Sequence, residues 1–139
     1  MRVFLDANIL VSVLNKEYPH YTFTSRILSM TEDKKATLVT TGICLAIAYY
    51  FAEKKHGQVL AKGKIGLLVQ HMEIADCGKA EAESALKNKK VHDFEDGMQY
   101  YAALHSKCGC IVTNDLDDFY FSDLEVFGPA RKILSKFFR

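Results

Sequence analysis

Hydrophobic positions along this chain alternate between short unbroken runs and longer stretches at helical spacing. Val3-Phe4-Leu5 and Cys110-Ile111-Val112-Thr113 carry no polar break, as expected of strands covered on both faces. Strands are predicted over residues 2–5, 36–39, 72–75, 110–113 and 125–127. Helices are predicted between them over 8–14, 19–33, 42–55, 59–70, 79–87 and 93–107. Pro19 suits a first helical turn, Phe23, Ile27 and Leu28 follow as an apolar stripe, and Lys34-Lys35 closes that helix with favourable charge. In the helix over 42–55, Ile43, Ile47, Tyr50 and Phe51 recur as an apolar face. Its end, Lys54-Lys55-His56-Gly57, is a basic last turn followed by glycine. Gly128-Pro129 opens a terminal helix carrying Ile133 and Leu134. Strands separated by helices of this length imply right-handed crossovers and a parallel sheet covered on both sides. The predicted fold is therefore α/β: a doubly wound, three-layer αβα sandwich around a central, mostly parallel sheet of about five strands.

Composition changes this picture little. A length of 139 residues fits a single domain, 1–139, with one core. A hydrophobic fraction of 49% with 25% charged residues is that of a folded globular chain and excludes a disordered one. Net charge is +1, which argues neither for nor against nucleic acid, because a bound metal ion can supply positive charge at a phosphate. Cys44, Cys77, Cys108 and Cys110 lack the spacing of a disulfide framework. Cys108-Gly109-Cys110 with His92 or His105 is a poor zinc pattern, since structural sites favour C-x₂₋₄-C pairs. Reduced, buried thiols fit better. No apolar run reaches the ~20 residues of a membrane span, so a cytoplasmic location without membrane contact is expected.

The candidate chemistry lies in three acids. Asp6 directly follows the first strand, Asp115 follows the fourth, and Asp96 sits at the head of the helix leading into the fourth. In open parallel sheets, ligands bind beyond the carboxyl ends of the strands, where the winding direction reverses. Asp6 also suits a helix N-cap and Asp96 a first helical turn. Capping, however, does not require all three at one edge. Carboxylates packed together repel, and a cation is the usual remedy. Magnesium or manganese fits an all-oxygen set, with a coordinated water available as a nucleophile. Asn8 and Thr113 add neutral oxygens.

Other chemistries on similar folds lack their motifs in this chain. Asp-Ala-Asn-Ile after the first strand is no glycine-rich dinucleotide turn, and no P-loop pattern occurs. An aspartyl phosphatase would carry a second aspartate where Asn8 stands. No Gly-x-Ser-x-Gly elbow is present, and none of the five histidines has an evident nucleophile partner.

The succession of motifs resembles the PIN-domain family, in the branch of VapC-like toxin ribonucleases. Val-Phe-Leu-Asp6-Ala-Asn-Ile-Leu is similar to the family's opening, usually apolar residues before Asp-Thr-Asn. Asp93-Phe-Glu-Asp-Gly-Met-Gln-Tyr-Tyr resembles its acidic helix. Cys110-Ile-Val-Thr-Asn-Asp-Leu-Asp-Asp-Phe119 resembles its late motif, and Val126-Phe-Gly-Pro-Ala-Arg-Lys-Ile-Leu134 its closing helix. The resemblance implies a Mg²⁺- or Mn²⁺-dependent endoribonuclease, hydrolysing RNA phosphodiesters as the toxin of a toxin–antitoxin pair, commonly as a homodimer. It makes Asp6, Asp96 and Asp115 the metal ligands and catalytic set. Asp93 and Asp118 could join them, and Asn8, Thr113 and Asn114 would support them.

Two positions depart from the family pattern. Ala7 replaces the usual threonine. Ile47 stands where active members usually carry a glutamate, and Glu53 is nearly two turns too far along to replace it. A degenerate PIN domain, binding RNA or a protein partner without cutting, is therefore the alternative. Among the scattered basic pairs, Lys89-Lys90 before the acidic helix is the best placed for a backbone phosphate. Tyr49-Tyr50-Phe51, Tyr100-Tyr101 and Tyr120-Phe121 cannot all face one core and offer a surface for a second copy or an antitoxin segment.

Overall fold

A computed structural model describes residues 1–15 and 36–128; the helices predicted over 19–33 and after Gly128 lie outside them. Five strands, β1 (Arg2–Leu5), β2 (Thr37–Thr41), β3 (Glu73–Ala75), β4 (Cys110–Val112) and β5 (Glu125–Phe127), form one sheet. Its order is β3-β2-β1-β4-β5, and all four pairings are parallel. The chain winds outward from β1 through β2 to β3, then crosses back to β4 on the other side of β1. The switch in winding thus falls between β1 and β4, where Leu5 pairs with Val112. The unbroken apolar runs are explained directly: Val3, Phe4, Leu5, Cys110, Ile111 and Val112 are all fully buried.

Helices α1 (Ala7–Leu14), α2 (Gly42–His56), α3 (Gln58–His71), α4 (Lys79–Lys87) and α5 (Phe94–His105) cover the sheet. α1 packs on α2, α2 on α3, and α4 on α5. The last pair is close because of Gly97: a Cβ there would meet Val91 Cγ1 at 2.6 Å and Ala85 Cβ at 3.0 Å. Gly57 takes φ +84° between α2 and α3, a turn that glycine makes without penalty.

The helix over 42–55 forms as predicted, but its apolar face is turned. Cys44, Ala48 and Ala52 are fully buried, whereas Tyr50 and Phe51 are 53% and 45% exposed. The reason is close packing. Small residues at i, i+4 and i+8 let α2 approach its neighbours, and the bulky side chains are displaced to the flanks. Ile47 consequently lies half-buried at the rim. Element ends differ from expectation by one or two residues, and β2 runs on through Thr40 and Thr41, both buried. Their hydroxyls make this tolerable. Thr40 donates to Leu5 O at 3.0 Å, and Thr41 caps α2 by accepting from Cys44 N.

Candidate metal centre

The carboxyl ends of β1 and β4 are laced together by short polar side chains. Asp6 is buried and caps α1, accepting from Ala7 N at 2.8 Å. Its other oxygen takes the Thr113 hydroxyl at 3.0 Å. Thr113 Oγ1 in turn accepts from Asn8 Nδ2 and from Asp115 N, both at 3.1 Å. Asn8 Oδ1 accepts from Asn114 N at 3.0 Å. One hydroxyl proton and two lone pairs are thus fully used. This network fixes Asp6 and sets the backbone of Asp115 beside it. Asn8, Thr113 and Asn114 thus share one hydrogen-bond network with the Asp6 carboxylate and the Asp115 amide.

The start of α5 contributes three more acids. Asp93 is its N-cap, accepting from Asp96 N at 3.0 Å, and Glu95 and Asp96 occupy the first turn. Asp93, Glu95 and Asp96 can present carboxylate oxygens all within 4.8 Å of one another. A cleft of about 440 Å³ is lined by Asp6, Asn8, Ile47, Glu95, Asp96 and Asp118, among others. Asp115 lies outside that lining, yet its charge acts on both Asp6 and Asp118. The structure therefore brings Asp6, Asp96 and Asp118 into one cleft, with Asp93 and Asp115 at its border. Lys89 and Lys90 are exposed in the turn before α5, where Tyr120 binds across to Lys90 O and His92 N.

Electrostatics mark the cleft as strained. Burial raises the Asp6 carboxyl to about 6, and Glu95 and Asp115 push in the same direction. Asp96 is driven to about 8 by burial and then by Asp118, Asp93, Glu95 and Asp6. Burial chiefly raises Glu95 and Asp118 as well. Among the described residues the close basic–acidic pairs are Arg2–Glu73, Lys79–Glu83 and the imidazole contact His105–Glu81. None reaches these acids.

Several buried polar atoms lack a partner among the described residues. They include Asn15 Oδ1, on a residue lining the cleft, Asn114 Oδ1 and Gln99 Nε2. An all-oxygen donor set with uncompensated negative charge fits a hard divalent cation. The nearby Cys44 thiol is pushed by burial up to about 12. Cys108 and Cys110 are buried and form no metal-ligating group with His92 or His105 among the described residues.

Sequence reasoning passed over Glu95 and Gln99. Glu95 was visible inside the acidic motif. Gln99 is fully buried among Tyr100, Ala102 and Ala103, and a polar residue on an apolar helix face was the available signal. Glu53, by contrast, is exposed and interacts with Tyr49.

The frame around these acids recurs in known proteins. Ribonuclease VapC1 of Aquifex aeolicus (strain VF5) is 30% identical over 129 residues, covering 90% of this chain and 88% of that protein. The crystal structure of VapBC2 from Rickettsia felis, bound to a DNA fragment from their promoter, contains a similar chain. Its TM-score is 0.67 at 22% identity, over 92% of this chain and 98% of that one. Mycobacterium tuberculosis VapC20, a Sarcin-Ricin loop cleaving toxin, gives 0.62 at 12% identity, over 78% and 86%. A family model described as PIN domain matches residues 2–117. That match takes in Asp6, the acidic turn of α5 and Asp115, so the chain belongs to the PIN-domain family.

Proposed function

We propose that this protein is a metal-dependent endoribonuclease, the toxin of a toxin–antitoxin pair, with Asp6, Asp96 and Asp115 as its principal acids. The observation that carries the reading is the set of carboxylates gathered at the switch point with no protein cation among the described residues to balance them. Asp6, Asp96 and Asp115 would hold Mg²⁺ or Mn²⁺, with Asp93 and Asp118 completing or orienting the set. When bound, the ion would supply positive charge at the scissile phosphate and acidify a water. Thr113 and Asn8 hold the Asp6 carboxylate in one orientation. Lys89 and Lys90 meet the phosphate backbone of single-stranded or looped RNA, whose splayed strands expose it. Relatives that are ribonucleases and toxins support the substrate class and the toxin role.

Tyr50, Phe51, Val59, Leu60 and Leu67 are exposed and offer an apolar surface for an antitoxin segment or a second copy. Among the described residues no helix is long and apolar enough to cross a membrane, which is compatible with a cytoplasmic protein. Ile47 at the cleft favours a second reading, a PIN domain that binds without cutting. Cleavage of mixed RNA across a Mg²⁺ and Mn²⁺ titration separates the two. Metal-dependent cutting that disappears in Asp6→Ala supports the nuclease. Metal binding without cutting leaves the binder, and neither binding nor cutting sinks the metal-dependent reading.

A further inference from the structure

Ile47 leaves the cleft one acid short of the usual PIN set, and Glu95 lines that same cleft from the neighbouring element. Both residues share it with Asp6, Asp96 and Asp118. We propose that Glu95 supplies the carboxylate missing at Ile47, as a further ligand for the divalent cation that enters from α5 instead of α2, oriented by Thr41 and Gln99. The proposal rests on the metal-dependent reading of the cleft.

The geometry is suitable. A small cation binding oxygens at ~2.1 Å spans donors up to ~4.2 Å apart. Oxygens of Asp93, Glu95 and Asp96 lie within 4.8 Å of one another, so small side-chain rotations close the set. Glu95 is half-buried and feels the charges of Asp93 and Asp118, while its own charge acts on Asp6. No basic side chain of the described residues pairs with it. Carboxylates crowded in this way repel one another, and a bound cation relieves the repulsion.

The second observation is Gln99, one turn along α5 on the same helical face as Glu95. It is fully buried. The Thr41 hydroxyl accepts from Cys44 N at 3.2 Å, and its single proton goes to Gln99 Oε1 at 2.7 Å. That bond engages the amide oxygen and leaves Nε2 for another partner. Nε2 is left without a full hydrogen-bond partner, while lying near enough to Glu95 to favour its anion. Gln99 is therefore a positioning residue. The cap of α2, the helix that lost the acid, holds the side chain that aims the replacement.

Mn²⁺ binding by the full chain, followed by calorimetry and by the metal-induced rise in Tm, tests this without reference to activity. Glu95→Gln should weaken Mn²⁺ binding about 10-fold or more while keeping or raising the metal-free Tm, since a repelling charge is gone. Adding Ile47→Glu to that variant should recover part of the affinity by restoring an acid from α2. Gln99→Leu should weaken Mn²⁺ binding in the wild-type background and have no further effect beside Glu95→Gln. Wild-type affinity in Glu95→Gln, with binding lost in Asp6→Asn, would overturn the role of Glu95 and leave the metal reading intact. Additive losses for Gln99→Leu and Glu95→Gln would remove the positioning role. No Mn²⁺ binding by the wild type at millimolar concentration would overturn both the proposal and the reading beneath it.

Discussion

The cavity beside β3, about 520 Å³, and the cleft at the carboxyl edge, about 440 Å³, both hold carboxylates, but among the described residues only the first pairs them with basic side chains. Beside β3, Arg2 grips Glu73 with two hydrogen bonds of 2.7 and 2.8 Å. Glu81, 6% exposed, meets His105 Nδ1 at 2.5 Å and accepts from Gly78 N at 2.8 Å. Those two glutamates have lowered pKa values because their partners favour the anion. In the cleft, Asp6, Glu95, Asp96 and Asp118 are raised, chiefly by burial, with other acids adding to it. Among the described residues, basic side chains paired with acids stand beside β3 and not at the cleft. The cation proposed for the cleft would offset the cost of crowding acids there.

The contrast is most severely tested by removing an acid from the cleft. Asp6→Asn keeps the α1 cap, since asparagine caps as well as aspartate, yet it deletes a central negative charge. Cleavage should fall on the order of 10²-fold or more, because a site that has lost a ligand forfeits several kcal/mol of transition-state stabilisation. In EDTA the same variant should melt no lower than the wild type. A metal-free Asp6→Asn that is strongly destabilised would mean that the carboxylate is structural. Beside β3 the sign should reverse. His105→Leu leaves the buried Glu81 with backbone amides alone, and urea unfolding should show a loss of about 1–2 kcal/mol. An unchanged midpoint would show that solvent replaces the imidazole and that the two regions differ less than their contacts suggest.

Legibility in the sequence divides along the same lines. The strands and the three aspartates announce themselves in single stretches of sequence, because a buried strand is a continuous apolar run and the acids directly follow or precede such runs. The parallel sheet followed from the alternation of elements, and its order places the ends of β1 and β4 side by side. Asp118 in the cleft was within reach, being three residues beyond Asp115. The facing of α2 was not. Large apolar residues normally mark the buried face, but Cys44, Ala48 and Ala52 took the core because helix packing rewards close approach as well as area. That rotation puts Ile47 at the cleft. The value of Glu95 depends on Thr41, fifty-four positions away in the chain and joined to it through Gln99. No local pattern encodes such a relay.

Acidity should separate the two regions next. Asp6 and Asp96 are raised to about 6 and about 8. Between the ordinary carboxylate range and those values the native state holds more protons than the unfolded chain. Metal-free stability contributed by the cleft is therefore present at low pH and lost as pH rises through that window. Glu81 and Glu73 act oppositely: their contribution is present above the usual glutamate value and lost as pH falls through their lowered values. In EDTA, Tm should decline between about pH 5 and 8, and Asp96→Asn or saturating Mn²⁺ should flatten the decline. A wild-type Tm that rises over that range, with Asp96→Asn parallel to it, would contradict the charge crowding on which the comparison rests.

The smallest effect is expected where the geometry looks best. Arg2 ties β1 to Glu73 at the head of β3 and donates through Nε to Ser106 O at 2.7 Å. Its side chain is 31% exposed and that of Glu73 50%, so water and salt compete for both groups. A double-mutant cycle with Arg2→Met and Glu73→Gln should give a coupling of at most about 1 kcal/mol, shrinking with added salt. A coupling of that size would locate the difference between the two regions in the cost of crowded acids at the cleft, not in strong ion pairing beside β3. A coupling several times larger and insensitive to salt would reverse the emphasis. The cleft would then be the ordinary region and the β3 flank the one built for stability.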